Sequence, residues 1–461
     1  MDHRFPARPS LLSHLGRELS PTPAFPCKRE EGLPLSRREV WLLALVGLIG
    51  LLALAACGPN SPASPTQPTV LRPPTNTPAL SPPSNATAPP TGGTPGPTRK
   101  PTKTPTPTAT PLPTVVATLP LKSPEYGIQA FLWWRPEVAD RDLNLIKEMG
   151  FSWVKQGMAW RDIEGAGKGV FDWSRADRIV RQVAEKGLKL LARIDHEPPW
   201  AMRAYASGDV VQGPPQNLQD FGDFCFAIAD RYRGYIQAYQ VWNEPNLSRE
   251  WGGYPPNAAE YVQLLRVCYE NIKRADPNAL VISAGLAPTG TDLPVAVPDD
   301  RYVREMLDAG AARYFDLLGF NAPGYAAPPW VGPDEVAANP QWGGHRFFAF
   351  RHVEDIRQIM VEKGVGDKQI AILEMGWTTD PIHPAYSWFR VAEEQQAEYL
   401  VKAYEWAREH WAPWIGLMSM IYIADPDWTE EHEQYWWAIT LPSYPVTKTR
   451  PAYEALKAMP K

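Results

Sequence analysis

Cysteine is scarce in this 461-residue chain, four in all, too few for disulfides to stand in for a hydrophobic core. Cys27 and Cys57 fall in the N-terminal third, whereas Cys225 and Cys268 lie among apolar residues at helical spacing: Phe221, Phe224 and Ile228, and Leu264, Leu265 and Ile272. The later two are expected as buried thiols, with a bridge between neighbouring helices as the alternative. Histidine is nearly as sparse, at eight, and no Cys and His spacing matches a metal site. A basic excess is also missing. Lys and Arg number 46 against 51 Asp and Glu, a net charge of −5, so no nucleic-acid footprint is expected. No glycine-rich phosphate turn follows the first predicted strand, which argues against a dinucleotide-binding sheet. Neither a cofactor nor a protein partner is implied.

Long apolar runs are absent with one exception. After Arg37 and Arg38 the chain is uncharged and apolar from Val40 to Ala56, a length between a signal-peptide core and a short membrane span. The stretch Leu54-Ala55-Ala56-Cys57-Gly58 resembles a bacterial lipobox, which implies lipid attachment at Cys57; an uncleaved anchor helix is the alternative. Residues 1–57 are therefore read as an N-terminal extension with a lipoprotein signal peptide. The protein is expected outside the cytoplasm, anchored to the bacterial cell membrane, because the arginine pair holds the N-terminal flank inside. Residues 58–123 follow, about half of them proline or threonine and none aromatic. Such a segment buries too little apolar surface to offset its chain entropy and reads as a disordered linker.

Residues 124–461 alternate strand-like apolar runs with helix-period segments, several closed by glycine just before the next strand. Strands are expected over 127–132, 151–158, 188–194, 236–242, 280–284, 317–321, 369–374 and 415–423. Eight such pairs in one run predict a (β/α)8 TIM barrel. Two of the strands end in glutamate. Tyr239-Gln240-Val241-Trp242-Asn243 delivers Glu244 just before Pro245, and Gln369-Ile370-Ala371-Ile372-Leu373 delivers Glu374 before Gly376. Hydrolysis of a glycosidic bond needs such a pair, one acid to protonate the leaving oxygen and one carboxylate for the anomeric carbon. A barrel brings strand ends distant in sequence around one mouth.

The string Trp242-Asn243-Glu244-Pro245-Asn246 resembles the acid/base strand of clan A retaining glycoside hydrolases, above all families 39 and 5. The resemblance implies Glu244 as acid/base, Glu374 as nucleophile, Asn243 on the 2-hydroxyl of the sugar, and a β-linked oligo- or polysaccharide substrate. Tryptophan is abundant, nineteen residues, many in the expected strand-end loops, where rings can stack on sugars. Trp377 and Trp160 are the expected substrate contacts, and His196 either binds a hydroxyl or caps its loop.

Three positions depart from the clan pattern. Lys155 is the nearest cation where an arginine usually stands at the end of the second strand. The sixth strand reads Asn321-Ala322-Pro323-Gly324-Tyr325 in place of His-x-Tyr, with Tyr325 as the substitute for the tyrosine that bonds the nucleophile. Tyr422 stands where the eighth strand usually ends in tryptophan. Asn321, Tyr325 and Tyr422 thus complete the expected substrate site. A surface-anchored glycan-binding barrel without catalysis is the main alternative. A transporter substrate-binding lipoprotein would instead show two lobes.

Overall fold

Eight short apolar runs form parallel strands in the computed structural model, which describes residues 120–206 and 210–461. They are β1 Glu125–Gln129, β2 Trp153–Gly157, β3 Lys189–Ile194, β4 Ala238–Val241, β5 Leu280–Ile282, β6 Leu317–Pro323, β7 Gln369–Gly376 and β8 Ile415–Met420. Each pairs with the next, and β8 returns to β1 through Glu125–Leu417 to Ile128–Met420, closing the barrel. The intervening helices are α1 Pro136–Glu148, α2 Ser174–Glu185, α3 Leu218–Arg231, α4 Ala258–Ala275, α5 Asp299–Asp308, α6 Val353–Glu362, α7 Glu393–Trp406 and α8 Pro451–Ala458. The architecture is a (β/α)8 barrel.

Local chemistry accounts for most boundaries. Parallel strands covered on both faces need continuous apolar sequence, and every residue of β7 is buried. The side chain of Asn217 caps α3, and that of Asn257 caps α4 through the amides of Ala259 and Glu260. Expected elements shift at their ends. β1 stops at Gln129, not at 132, and β8 at Met420, not at 423, because the chain there leaves the ladder to build the mouth of the barrel. Helix α6 begins only at Val353; two single turns, 346–348 and 350–352, precede it, separated by the extended Ala349.

Inside the barrel the two-residue strand period builds layers. Trp153, Leu191, Ala238, Ile282, Leu317, Ala371 and Leu417 form an apolar floor. Two residues further along three of these strands stand Lys155, Arg193 and Gln240, on the same inward face and one layer nearer the C-terminal mouth. Leu121 seals the floor from below; its amide donates to Gln369 Oε1 at 3.1 Å. The folded part therefore includes residues assigned to the end of the linker.

Cys225 on α3 and Cys268 on α4 form a disulfide, with Cα atoms 5.4 Å apart. The expectation of two free buried thiols is corrected: the closely packed helices bring the two side chains together. Among the described residues no helix is long and apolar enough to cross a membrane. The signal segment, Cys57 and residues 58–119 of the linker lie outside the described residues.

Candidate active site

Both strand-end glutamates open onto one cleft at the C-terminal mouth. Its volume is about 460 Å³ including space open to solvent, and its walls include Glu244, Glu374, Asn321, Tyr325, Tyr386 and Trp437. Backbone in the left-handed region concentrates here. His196, Trp242, Glu244 and Tyr325 have φ of 56°, 73°, 39° and 49°, and among the described residues no other non-glycine position has positive φ. Each such conformation costs roughly 1–3 kcal/mol and persists only where surrounding structure imposes it.

A bulge aligns the site. Pairing of β6 with β7 runs in register to Phe320–Ile372, then skips Leu373 so that Asn321 faces Glu374. The Asn321 amide donates to Glu244 Oε1 at 3.0 Å and to Glu374 Oε2 at 3.5 Å. Laid end to end, the two distances cap the separation of those oxygens at about 6.5 Å. Close approach at the end of β5 permits this arrangement. A Cβ on Gly285 would stand 2.2 Å from Asn321 Oδ1, so only glycine fits there, and its carbonyl accepts the Glu244 amide at 3.0 Å.

The two carboxyls have unlike surroundings. Glu374 Oε1 accepts from Lys155 Nζ at 2.9 Å, and Arg193 Nη1 lies 3.8 Å away. Lys155 is itself 1 % exposed; burial, partly offset by Glu374, lowers its pKa. Glu244 sits deeper, with Arg249 Nη2 3.8 Å from Oε2. Burial first, and then the charge of Glu374, raise the Glu244 pKa well above the usual carboxylate range; Arg249 opposes them. One acid is thus disposed to hold a proton while the other is surrounded by cations.

Arg193 also connects the cleft to β3. Its Nε lies 2.8 Å from Asp195 Oδ2, and Asp195 Oδ1 lies 2.8 Å from His196 Nδ1. Burial disfavours the Asp195 charge, yet Arg193 and then His196 outweigh it and hold the pKa at about 2. His196 is buried in this ion-paired chain, its backbone amide donating to Gln212 Oε1. Asn243 is also buried beside Glu244, its Oδ1 accepting from Gln240 Nε2 at 3.4 Å.

Several expected contacts are corrected. Trp160 is fully buried, its indole bonded to Glu164 and its ring among Trp200, Phe221 and Phe224, so it is core and not a sugar platform. Trp377 is equally inaccessible, donating to the Ala327 carbonyl at 3.0 Å and packed on Phe350 and Tyr399. Both follow strand ends, but their rings turn outward into the helix layer. Tyr325 reaches the cleft without bonding the nucleophile candidate: its hydroxyl is buried with no hydrogen-bond partner among the described residues, and Phe348 and Phe389 hold its ring edge-on. The Tyr422 hydroxyl is buried without a hydrogen-bond partner among the described residues, and burial followed by the charge of Glu374 raises its pKa.

Sequence reasoning missed Arg193, Arg249 and Tyr386, and covered Trp437 only as one of the many strand-end-loop tryptophans. Only Arg193 left a signal, a cation two residues beyond an inward apolar position on a predicted strand. Among the described residues no cluster of His, Cys, Asp or Glu could hold a metal.

No protein-family model matches the chain. In sequence, a 109-residue stretch is 28% identical to Beta-glucosidase 26 of Oryza sativa subsp. japonica, covering 23% of this chain and 21% of that protein. In structure, the chain is similar to a family 39 glycoside hydrolase from Bacteroides cellulosilyticus WH2, at 16% identity and a TM-score of 0.52, over 73% of this chain and 63% of that one. It is also similar to a glucosidase from Croceicoccus marinus, at 11% identity and a TM-score of 0.51, over 73% and 67%. The chain thus spans about a fifth of the curated relative and less than two thirds of the family 39 structure. These likenesses establish the barrel fold.

Proposed function

We propose that the protein is a glycosidase that cleaves β-linked glycosides with retention of configuration. One observation carries the reading: Glu244 and Glu374 share the amide of Asn321 within one cleft, while their electrostatic surroundings differ. Retaining enzymes hold their two carboxyls about 5–5.5 Å apart and inverting ones about 6.5–9.5 Å apart. The cap set by Asn321 favours the shorter class. Similarity to a family 39 glycoside hydrolase and to glucosidases supports a carbohydrate substrate.

In this scheme Glu244 protonates the glycosidic oxygen as Glu374 attacks the anomeric carbon, leaving the sugar esterified to Glu374. Lys155 and Arg193 stabilise the attacking carboxylate beforehand. Esterification removes the Glu374 charge, one of the causes that raise Glu244, so Glu244 becomes a weaker proton holder after donating. It then takes a proton from the incoming water, which hydrolyses the ester. Asn243, next to the acid, is the proposed ligand of the 2-hydroxyl.

The proposal extends to location. An extracytoplasmic barrel tethered through Cys57 fits the leader sequence, and the Cys225–Cys268 disulfide suits an oxidising compartment. A two-lobed transporter protein is disfavoured by the single closed barrel.

The test is chemical rescue. Glu374→Ala should lose aryl β-glycoside hydrolysis, and azide should restore part of it by replacing the missing nucleophile. Wild-type turnover in that variant would remove the assignment; loss without any rescue on activated substrates would count against the covalent route.

A further inference from the structure

Glu250 is a buried acid that this scheme leaves unused, in the same loop after β4 that carries Glu244. It ends the single turn Ser248–Glu250 and is 1 % exposed. Both of its oxygens are held. Gln212 Nε2 donates to Oε2 at 2.8 Å, and Arg249 Nη2 lies 3.3 Å from Oε1. Gln212 is itself fixed, because its Oε1 accepts the backbone amide of His196 just past β3. The loop is tied as firmly along its backbone: the Trp242 indole donates to the Glu250 carbonyl at 3.0 Å, and the Leu247 amide to the Glu244 carbonyl at 2.9 Å. Glu244 and Glu250 thus stand at the two ends of one short loop whose start is bonded to its end.

Arg249 lies between the two carboxyls. The same nitrogen, Nη2, is 3.3 Å from Glu250 Oε1 and 3.8 Å from Glu244 Oε2, within hydrogen-bond reach of the first and outside it for the second. A guanidinium seated directly on Glu244 would stabilise its ionised form and strip the acid of its proton; one drawn aside by a second carboxylate does so only in part. Glu250 is equipped to draw it aside. Burial raises the Glu250 pKa, but Arg249, the Gln212 amide, His196 and Arg193, in that order, oppose the rise and favour its charge. That charge also raises Glu244 directly, after burial and Glu374. The other groups acting on Glu244 include the Asn321 amide from β6, and the phenols of Tyr325 and Tyr386 feel its charge in turn; Tyr205 feels that of Glu250.

We propose that Glu250, oriented by Gln212, is a positioning residue for the acid: it draws Arg249 aside so that Glu244 keeps its proton until it meets the glycosidic oxygen. The inference rests on the reading of Glu244 as the acid. Glu250 and Gln212 act through Arg249, and together they set the alkaline edge of the working pH range.

The experiment compares the full chain with Glu250→Gln, which keeps the shape of the side chain and removes its charge, in a pH series of aryl β-glycoside hydrolysis and in a crystal structure of the variant. Arg249 should close on Glu244 to about 2.7–2.9 Å. The alkaline limb of kcat/KM, which reports the acid of the free enzyme, should move down by about 1–2 pH units, so the loss of activity grows with pH. An equal loss at every pH would mark Glu250 as merely structural and overturn the proposal, as would an Arg249 that stays in place. Gln212→Leu removes one donor to Glu250, eases its protonation and should move the limb the same way by less. If Glu250→Gln does not fold, a limb unmoved or raised in Gln212→Leu overturns the proposal. Absence of turnover by the wild type would sink the hydrolase reading, and carbon-13 titration of Glu244 would then decide. Its midpoint should fall in Glu250→Gln; a midpoint that stays put would overturn the role of Glu250.

Discussion

Replacing Glu374 by glutamine removes one negative charge from the cleft while keeping the size of the side chain and its ability to meet the Asn321 amide. The facing oxygens of Glu244 and Glu374 lie no more than about 6.5 Å apart, and two unit charges at that separation repel by about 2.5 kcal/mol at an effective dielectric near 20. The ionised form of Glu244 should be relieved by at least that order. Its titration midpoint must therefore fall in Glu374→Gln. Lys155 and Arg193, left without the carboxylate they face, act in the same direction, as does Arg249 at 3.8 Å. Burial, the largest cause of the elevation, is untouched, so the midpoint should stay above the ordinary carboxylate range. Carbon-13 NMR of protein labelled at the glutamate δ-carbon, with the Glu244 signal assigned by its loss in Glu244→Gln, would follow the change directly. A midpoint that stays put or rises would mean that the two carboxyls do not sense each other, and the proposed exchange of acid and base roles would lose its physical basis.

Two further outcomes test the corrected features. Trp377→Ala should cost about 3–5 kcal/mol in denaturant unfolding, as expected for a large buried aromatic, and leave the KM of the folded enzyme nearly unchanged; a large KM increase at unchanged stability would restore it as a substrate contact. Replacing Cys225 and Cys268 together by alanine should lower stability by about 3–4 kcal/mol, given their sequence separation of 43. Alkylation of the native, unreduced protein should find neither thiol free, and modification of either would contradict the bridge.

Much of the barrel was readable because its signals are local. Apolar runs of strand length, amphipathic helices, and the glycines Gly150, Gly187, Gly310 and Gly364 at positive φ before strands repeat the same unit along the chain. Strand ends were harder, since β1 and β8 stop where the rim needs them to stop, not where apolar character stops. The tryptophans misled for a related reason. Composition reports that rings are present near strand ends, but only packing decides whether a ring turns into the cleft, as Trp437 does, or into the helix layer, as Trp160 and Trp377 do.

From the sequence by itself came the βα repeat and two glutamates at the ends of the fourth and seventh strands, because hydrogen-bonding period and chain-breaking residues are written in consecutive positions. Tertiary structure alone decided what surrounds those glutamates. Barrel closure, and a bulge that skips Leu373, put Asn321 opposite Glu374. Inward layering set Lys155 and Arg193 at the mouth. Electrostatic coupling depends on distance through space, and residues from five different strands acquire short distances only when the eighth strand of the barrel closes on the first.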